Sequence, residues 1–577
     1  MSADLYGFLS SSRTDSILAT HPNRLFSTLD VPSEWDPWWA WAGEAPPDNS
    51  SEPKWLLLLR YYARTQNEQG DEARYSIPKE VELFIDMARR LQVSREMGGQ
   101  ALSVLCYARY SDAAVKPSNH DESQAPTSSQ DRMFGMSPKK AHEITRMSGF
   151  VAQFLLSSPE LASLRHAVDV GAGQAYLSRA MRDELGLHVL ALDWSDVQSK
   201  GAARRENIGP KKRKKAPGRP ADGPSSDEKK ADSSTGGGVL DEHGAPKGSL
   251  TYKTLEIRSD SLLSAVDEWA EEMQGTREAD APPLPMLFVA LHACGSLTPN
   301  VLRALISRLH STEPRRLWIP CAAVIVGCCY NLLEADDFPL SGRLVALSKE
   351  LPLIFTPNHL HLAAQTPGQW LRTTETLDAA KLAVRKVVWR ALLQGILEKH
   401  DASSTPSDSH TDLDETAVIN GETPALRRLG RLNDSAYVDW ETFVERAQDR
   451  LGVRLDPASC TKDATMESRL EVFQVLRCIL GPVTESLILL DREEWLRDQL
   501  EGTGMDVRLV NLFDQASGSA RNVAAVISPE RTNVIEVRLV TIVYATRHRS
   551  RVTRIVGKPA STLLSIRQRQ DIKALVR

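Results

Sequence analysis

Between Met133 and residue 345 the chain alternates short apolar runs with amphipathic segments, and that alternation admits few architectures. HAVDVG, LHVLALD, SLTYKTLEIRSD, PMLFVALH and AAVIVGCC read as strands. MSPKKAHEITRMSGFVAQFLLSS, YLSRAMRDELG, SLLSAVDEWAEEMQ and TPNVLRALISRLH read as the intervening helices. Strands apolar on both faces and joined by helices form a mainly parallel sheet covered on both sides, because parallel neighbours need long right-handed crossovers. The expected fold of residues 133–345 is therefore α/β, a doubly wound, Rossmann-like sheet.

The remainder of the chain reads as helical additions and polar segments. Residues 1–110 show three-to-four apolar spacing, as in EPKWLLLLRYYARTQ. The cluster Trp35, Trp38, Trp39 and Trp41 reads as packing, since tryptophan buries large area. Residues 111–132 have linker composition, and residues 207–248 form an insertion of Gly, Pro, Ser and charge too poor in apolar residues to offset the entropy of ordering. Residues 346–505 read as a helical addition with a second polar stretch near 400–416 and two long helices meeting at Gly481 and Pro482. A β-hairpin is expected over 506–529, pairing MDVRLVNLFD with RNVAAVIS, before a tail at 530–577. From residue 531 that tail has eleven Lys or Arg against Glu536 and Asp571.

The stretch AVDVGAGQAYLSRAM carries the chemistry. An apolar strand runs into Asp169, Gly171 and Gly173 and then into a helix expected to begin near Ala175. Glycines at such a junction permit a tight turn and close approach of a ligand, and the helix N-terminus adds outward amides. The next strand ends at Asp193, twenty residues beyond Gly173, where a carboxylate can accept from two ribose hydroxyls. Asp169 is placed to hold a cofactor amino group, directly or through water; as an alternative it caps a helix or accepts within the turn. Tyr176 stands where a dinucleotide site prefers a third glycine, which favours S-adenosylmethionine over a nicotinamide cofactor.

Two further motifs close the fourth and fifth strands: LHACGSLTPN, with His292 and Cys294, and VIVGCCYNLL, with Cys328, Cys329 and Tyr330. His292 is the candidate to orient an acceptor or take its proton, and Tyr330 the candidate to position the acceptor; each residue type also serves local hydrogen bonding. His292, Cys294, Cys328, Cys329, His359 and His361 form a pool of soft ligands. Adjacent cysteines point to opposite sides of a strand and there is no Cys-x-x-Cys pair, so no metal site is expected.

The blocks GMSPKKAHEI, DVGAGQAYLSRAM, LDWSDVQSKGAARR, LHACGSLTPNVLR, GCCYNLL with FPLS, and LILLDREEWL with LFDQASGSARNVA follow one another within Met133 to Pro529. Together they resemble the methyltransferase-like proteins grouped under the name ribosomal RNA adenine dimethylase domain-containing. The resemblance implies a Rossmann-like methyltransferase fold and S-adenosylmethionine as cofactor, with Asp169, Gly171, Gly173 and Asp193 matching the cofactor motif. The His-x-Cys-Gly and Cys-Cys blocks also resemble those of some transfer-RNA methyltransferases. Many adenine-amine methyltransferases carry Asn-Pro-Pro-Tyr after the fourth strand; here the stretch is His292-Ala293-Cys294-Gly295.

Two readings stay open on the sequence. One is an S-adenosylmethionine-dependent methyltransferase whose acceptor the sequence does not identify, with RNA or protein favoured; the other is a noncatalytic binding or scaffold protein on the same fold, possible RNA association included. The seven cysteines are an odd, sparse set, and a formal net charge of -5 argues against a uniformly basic nucleic-acid binder. The opening segment lacks the pattern of a signal peptide, and no run is read as reaching the roughly 18 to 20 apolar residues of a membrane span. An intracellular chain without a membrane partner is expected, in the nucleus or cytoplasm. The run PKKRKK at 210–215 resembles a nuclear-import signal and implies an import receptor as partner, with a solvated charge run as the alternative.

Overall fold

A computed structural model describes residues 1–25, 31–45, 52–64, 76–95, 136–195, 248–275, 282–313, 316–351, 353, 355–403, 429–515 and 517–530. The linker 111–132, the insertion except Gly248, the basic run 210–215, residues 404–416 and the tail after Glu530 lie outside the described residues.

Seven strands form one sheet: β1 (His166–Val170), β2 (His188–Asp193), β3 (Leu250–Thr254), β4 (Leu284–Cys294), β5 (Trp318–Cys328), β6 (Met505–Asn511) and β7 (Val523–Pro529). Their order is β3-β2-β1-β4-β5-β7-β6. The first five are parallel, and β7 lies antiparallel between β5 and β6. The fold is Rossmann-like, and the expected hairpin extends the sheet beyond β5. Period-two alternation explains why both faces are covered: Met286, Phe288 and Ala290 of β4 join a core with the helices Ser259–Gln274 and Leu297–Leu309. Leu287, Val289 and Leu291 point the other way, into a core with the helices Pro138–Leu155 and Tyr176–Leu185. Each fully buried Leu or Phe contributes about 1.5–3 kcal/mol by leaving water.

The helical regions before β1 and between β5 and β6 share a third core. Trp35 and Trp38 pack on Phe473, with Trp39 and Trp41 partly buried beside them. Phe473 belongs to a single 37-residue helix, Ala464–Leu500, which corrects the expectation of two helices meeting at Gly481 and Pro482. At Gly481 a Cβ would stand 2.3 Å from the carbonyl oxygen of Leu362. The glycine therefore serves close approach to the helix Pro357–Leu362, and burial of the surrounding turns overrides the breaking tendency of Pro482. Among the described residues this is also the one helix long and apolar enough, by length and composition, to cross a membrane, contrary to the sequence expectation. Its apolar window is wholly buried inside the protein, as in a core helix. The helix Thr374–Ser403 likewise runs past residue 400, into the start of the stretch expected to be polar coil.

Candidate functional site

Between β1 and β4 the strand order reverses direction, and open parallel sheets form their ligand crevice beyond the carboxyl ends of the strands at such a point. The loop after β1 lies at that point. Gly171 has φ +73° and Gly173 φ +56°, and Ala175 is a third left-handed residue, capping the helix Tyr176–Leu185. Gly171 and Ala172 donate their amides to the Leu192 carbonyl, each at 2.9 Å.

Asp193 clasps this loop. Its Oδ2 accepts from the Gly173 amide at 2.8 Å and its Oδ1 from the Ser195 amide at 3.0 Å. From β3, Tyr252 donates its hydroxyl to the Gly173 carbonyl at 2.7 Å, a contact with no local sequence signal. Burial, then the charges of Asp193 and Asp169, push that phenol well above its usual range and keep it a donor. Apart from its two chain neighbours, no atom of the described residues lies within 4 Å of the position a Cβ would take at Gly173, so the clasped loop presents open space at its tip. Trp194 beside it is exposed, and Tyr176 donates to Gln174 at 3.1 Å.

Asp169 faces inward. It is buried, and Ser178 of the following helix donates to it at 2.5 Å. Burial lifts its carboxyl to about 6 against the hydrogen bond from Ser178. Its folded value is therefore raised: between about pH 4 and pH 6 the native chain keeps a proton the unfolded chain has lost, and stability falls as pH rises through that window. Asp169→Asn removes this titration. Its stability relative to the wild type is expected to improve by about 1 kcal/mol from about pH 5 to about pH 7.5 in paired urea melts. A difference that stays constant with pH would mean that Asp169 titrates normally.

At the end of β4, His292 Nε2 lies 2.9 Å from Glu143 Oε2 on the helix Pro138–Leu155. Burial opposes ionisation of Glu143, but the hydrogen bond and charge of His292, with Lys140 and Lys139, hold the carboxyl below its ordinary value. The second oxygen, Oε1, is buried without a hydrogen-bond partner among the described residues. Glu143 was invisible to motif reasoning because 149 residues separate it from His292.

Tyr330 lies in the turn after β5, under the long helix. It is 1% exposed and donates its hydroxyl to Glu485 of the long helix at 3.0 Å, so it fastens the turn after β5 to the helical core. Burial, first, and the Glu485 charge raise it well above the ordinary phenol value.

The cysteines also depart from the expected arrangement. Cys329 adopts φ +49° and ψ +50°, so it does not continue the strand, and its sulfur turns back beside those of Cys294 and Cys328. Cys294 and Cys328 end adjacent strands in register, with sulfurs 3.0 Å apart. The hydrogen bond from Cys328 draws Cys294 down to about 6 against burial, while the same bond, then burial, raises Cys328. His359 is separate from this group: its Nδ1 accepts from the Thr356 amide at 2.9 Å.

Residues 139–336 match the family model described as a methyltransferase domain, and that span contains the glycine loop, Glu143, Asp193, His292 and the three clustered cysteines. The chain is 23% identical over 475 residues to the "Probable methyltransferase-like protein 25" of Mus musculus, covering 66% of this chain and 73% of that protein. It is 28% identical over 246 residues to the Homo sapiens protein of the same name, covering 40% of this chain and 34% of that protein. No solved structure matches the chain.

Proposed function

We propose that this chain, which carries a methyltransferase domain over residues 139–336, is an S-adenosylmethionine-dependent methyltransferase that modifies RNA or protein. The reading rests chiefly on the loop at Gly173, held from β2 by Asp193 and from β3 by Tyr252 and open at its tip. The residues fit the cofactor class. A Cβ at Gly173 would fill the cradle, and each Asp193 oxygen retains accepting capacity beyond its one backbone amide, enough for ribose hydroxyls. Asp169 supports the loop from behind through Ser178.

When bound, S-adenosylmethionine supplies a methyl group already activated for transfer, so the protein's contribution is alignment and exclusion of water. Gly171 and Gly173 shape the floor of the site. His292, fixed by Glu143, orients the acceptor at the end of β4. The basic tail supports RNA as one acceptor class through phosphate attraction. The wider resemblance to proteins named for ribosomal RNA adenine dimethylation points the same way, while His292-Ala293-Cys294-Gly295 in place of Asn-Pro-Pro-Tyr argues for a reaction other than adenine-amine methylation.

The test is transfer of labelled methyl from S-adenosylmethionine into fractionated RNA, protein and metabolite pools by the full chain. Label is expected in RNA or protein and is expected to fall when Asp193 is replaced by Ala. Cofactor binding with no label in any pool would instead assign the chain a noncatalytic, scaffold role.

A further inference from the structure

Three sulfurs meet where β4 and β5 end. Cys294 is the last residue of β4 and Cys328 the last of β5; the two are paired in register, so their side chains lie on the same face of the sheet. Cys329 follows in the left-handed region, a conformation that non-glycine residues take rarely and that costs on the order of 1 kcal/mol or more. Its effect is to bring a third sulfur back to the other two: all three Sγ atoms lie within 4.8 Å of one another. Three thiolates around a tetrahedral zinc ion, each about 2.3 Å from the metal, stand about 3.8 Å apart. The observed separations, from 3.0 Å between Cys294 and Cys328 to at most 4.8 Å, bracket that value.

We propose that Cys294, Cys328 and Cys329 bind one zinc ion through three thiolates, with the fourth position facing solvent beside Cys294. Thiolates select soft or borderline metals, and zinc is the borderline ion whose sites take three protein ligands and an open position. The burial gradient fits this: Cys328 is buried, Cys329 half-buried and Cys294 exposed, so the closed side of the site is the sheet and the open side the strand-end crevice. Charge also fits. Three thiolates and a divalent ion leave one negative charge, and the guanidinium groups of Arg521 and Arg492 lie within electrostatic reach of Cys294 and Cys328 respectively. Among the described residues, Nε and Nη2 of Arg492 and Nε of Arg521 are buried without hydrogen-bond partners. The remaining described cysteines, Cys321, Cys460 and Cys478, stand outside this cluster.

The site is independent of the cofactor reading, since neither glycine nor Asp193 takes part in it. Its test uses the reduced full chain. Elemental analysis of protein purified without chelator is expected to find one zinc per chain. Cobalt added to the chelator-stripped protein is expected to give a thiolate-to-cobalt charge-transfer absorption that saturates at one ion per chain. Cys294→Ser, Cys328→Ser and Cys329→Ser should each remove or strongly weaken that absorption, and Cys321→Ser should keep it. Should a cysteine variant fail to fold, alkylation of the wild type decides: zinc is expected to protect three cysteines, identified by mass spectrometry as Cys294, Cys328 and Cys329. Absence of the charge-transfer band in reduced wild-type protein, its survival in all three variants, or a Cys294–Cys328 disulfide in freshly purified chain would overturn the proposal.

Discussion

A Gly173→Val chain is expected to fold and to bind S-adenosylmethionine about a hundredfold more weakly than the wild type, a loss of roughly 2.7 kcal/mol. Two effects act together. Gly173 sits at φ +56°, where a β-branched residue is strained by on the order of 1–3 kcal/mol, so the loop relaxes away from its clasped form. The added methyls also enter space in which the protein itself places nothing within 4 Å of a Cβ. That same emptiness spares the core, so the damage stays local and the melting transition should move little. Gly173→Ala adds a Cβ without branches and carries the milder strain, and is expected to lose about tenfold, or about 1.4 kcal/mol. Normal affinity in a folded valine variant would move the cofactor away from this loop.

Glu485→Ala is expected to be among the most destabilising single changes in the chain, lowering unfolding free energy by roughly 3–5 kcal/mol. Glu485 is 3% exposed on the long helix, accepts the Tyr330 hydroxyl at 3.0 Å and lies 3.0 Å from the Arg95 guanidinium. Arg492 lies over the Tyr330 ring, 5.5 Å from its centroid. Removing the carboxylate leaves the Arg95 and Arg492 charges without the counter-charge beside them and the buried Tyr330 hydroxyl without its acceptor, which is costlier than the net worth of the pair. Glu485→Gln keeps an acceptor for Tyr330 and is expected to lose about half as much. Urea unfolding of the three proteins reads this directly. A loss under about 1 kcal/mol for the alanine variant would mean that the cluster is solvated rather than closed.

The parts of the fold that were legible in sequence are those written in local periodicity. β1, β4 and β5 are apolar on both faces because both faces are covered, and the strand-glycine-helix junction shows Gly171 and Gly173 through the left-handed turns they must make. Asp193 was legible by its spacing from the glycines. The rest depends on contacts between distant segments, which leave no local pattern: Glu143 with His292, Tyr252 with Gly173, and Glu485 with Tyr330. Pro482 misled because its local tendency to end a helix is outweighed by burial on all sides. Cys329 misled because strand alternation was assumed one residue too far; its positive φ turns the third sulfur back toward the other two.

S-adenosylmethionine is expected to bind in the loop between β1 and the helix Tyr176–Leu185, clasped by Asp193. Calorimetric titration of the cofactor into the wild-type full chain and into Asp193→Ala tests it most directly. Saturable binding at one site is predicted for the wild type, with affinity reduced at least about tenfold, or about 1.4 kcal/mol, in a variant that keeps its fold. No binding by the wild type, or equal affinity in a folded Asp193→Ala chain, would contradict it.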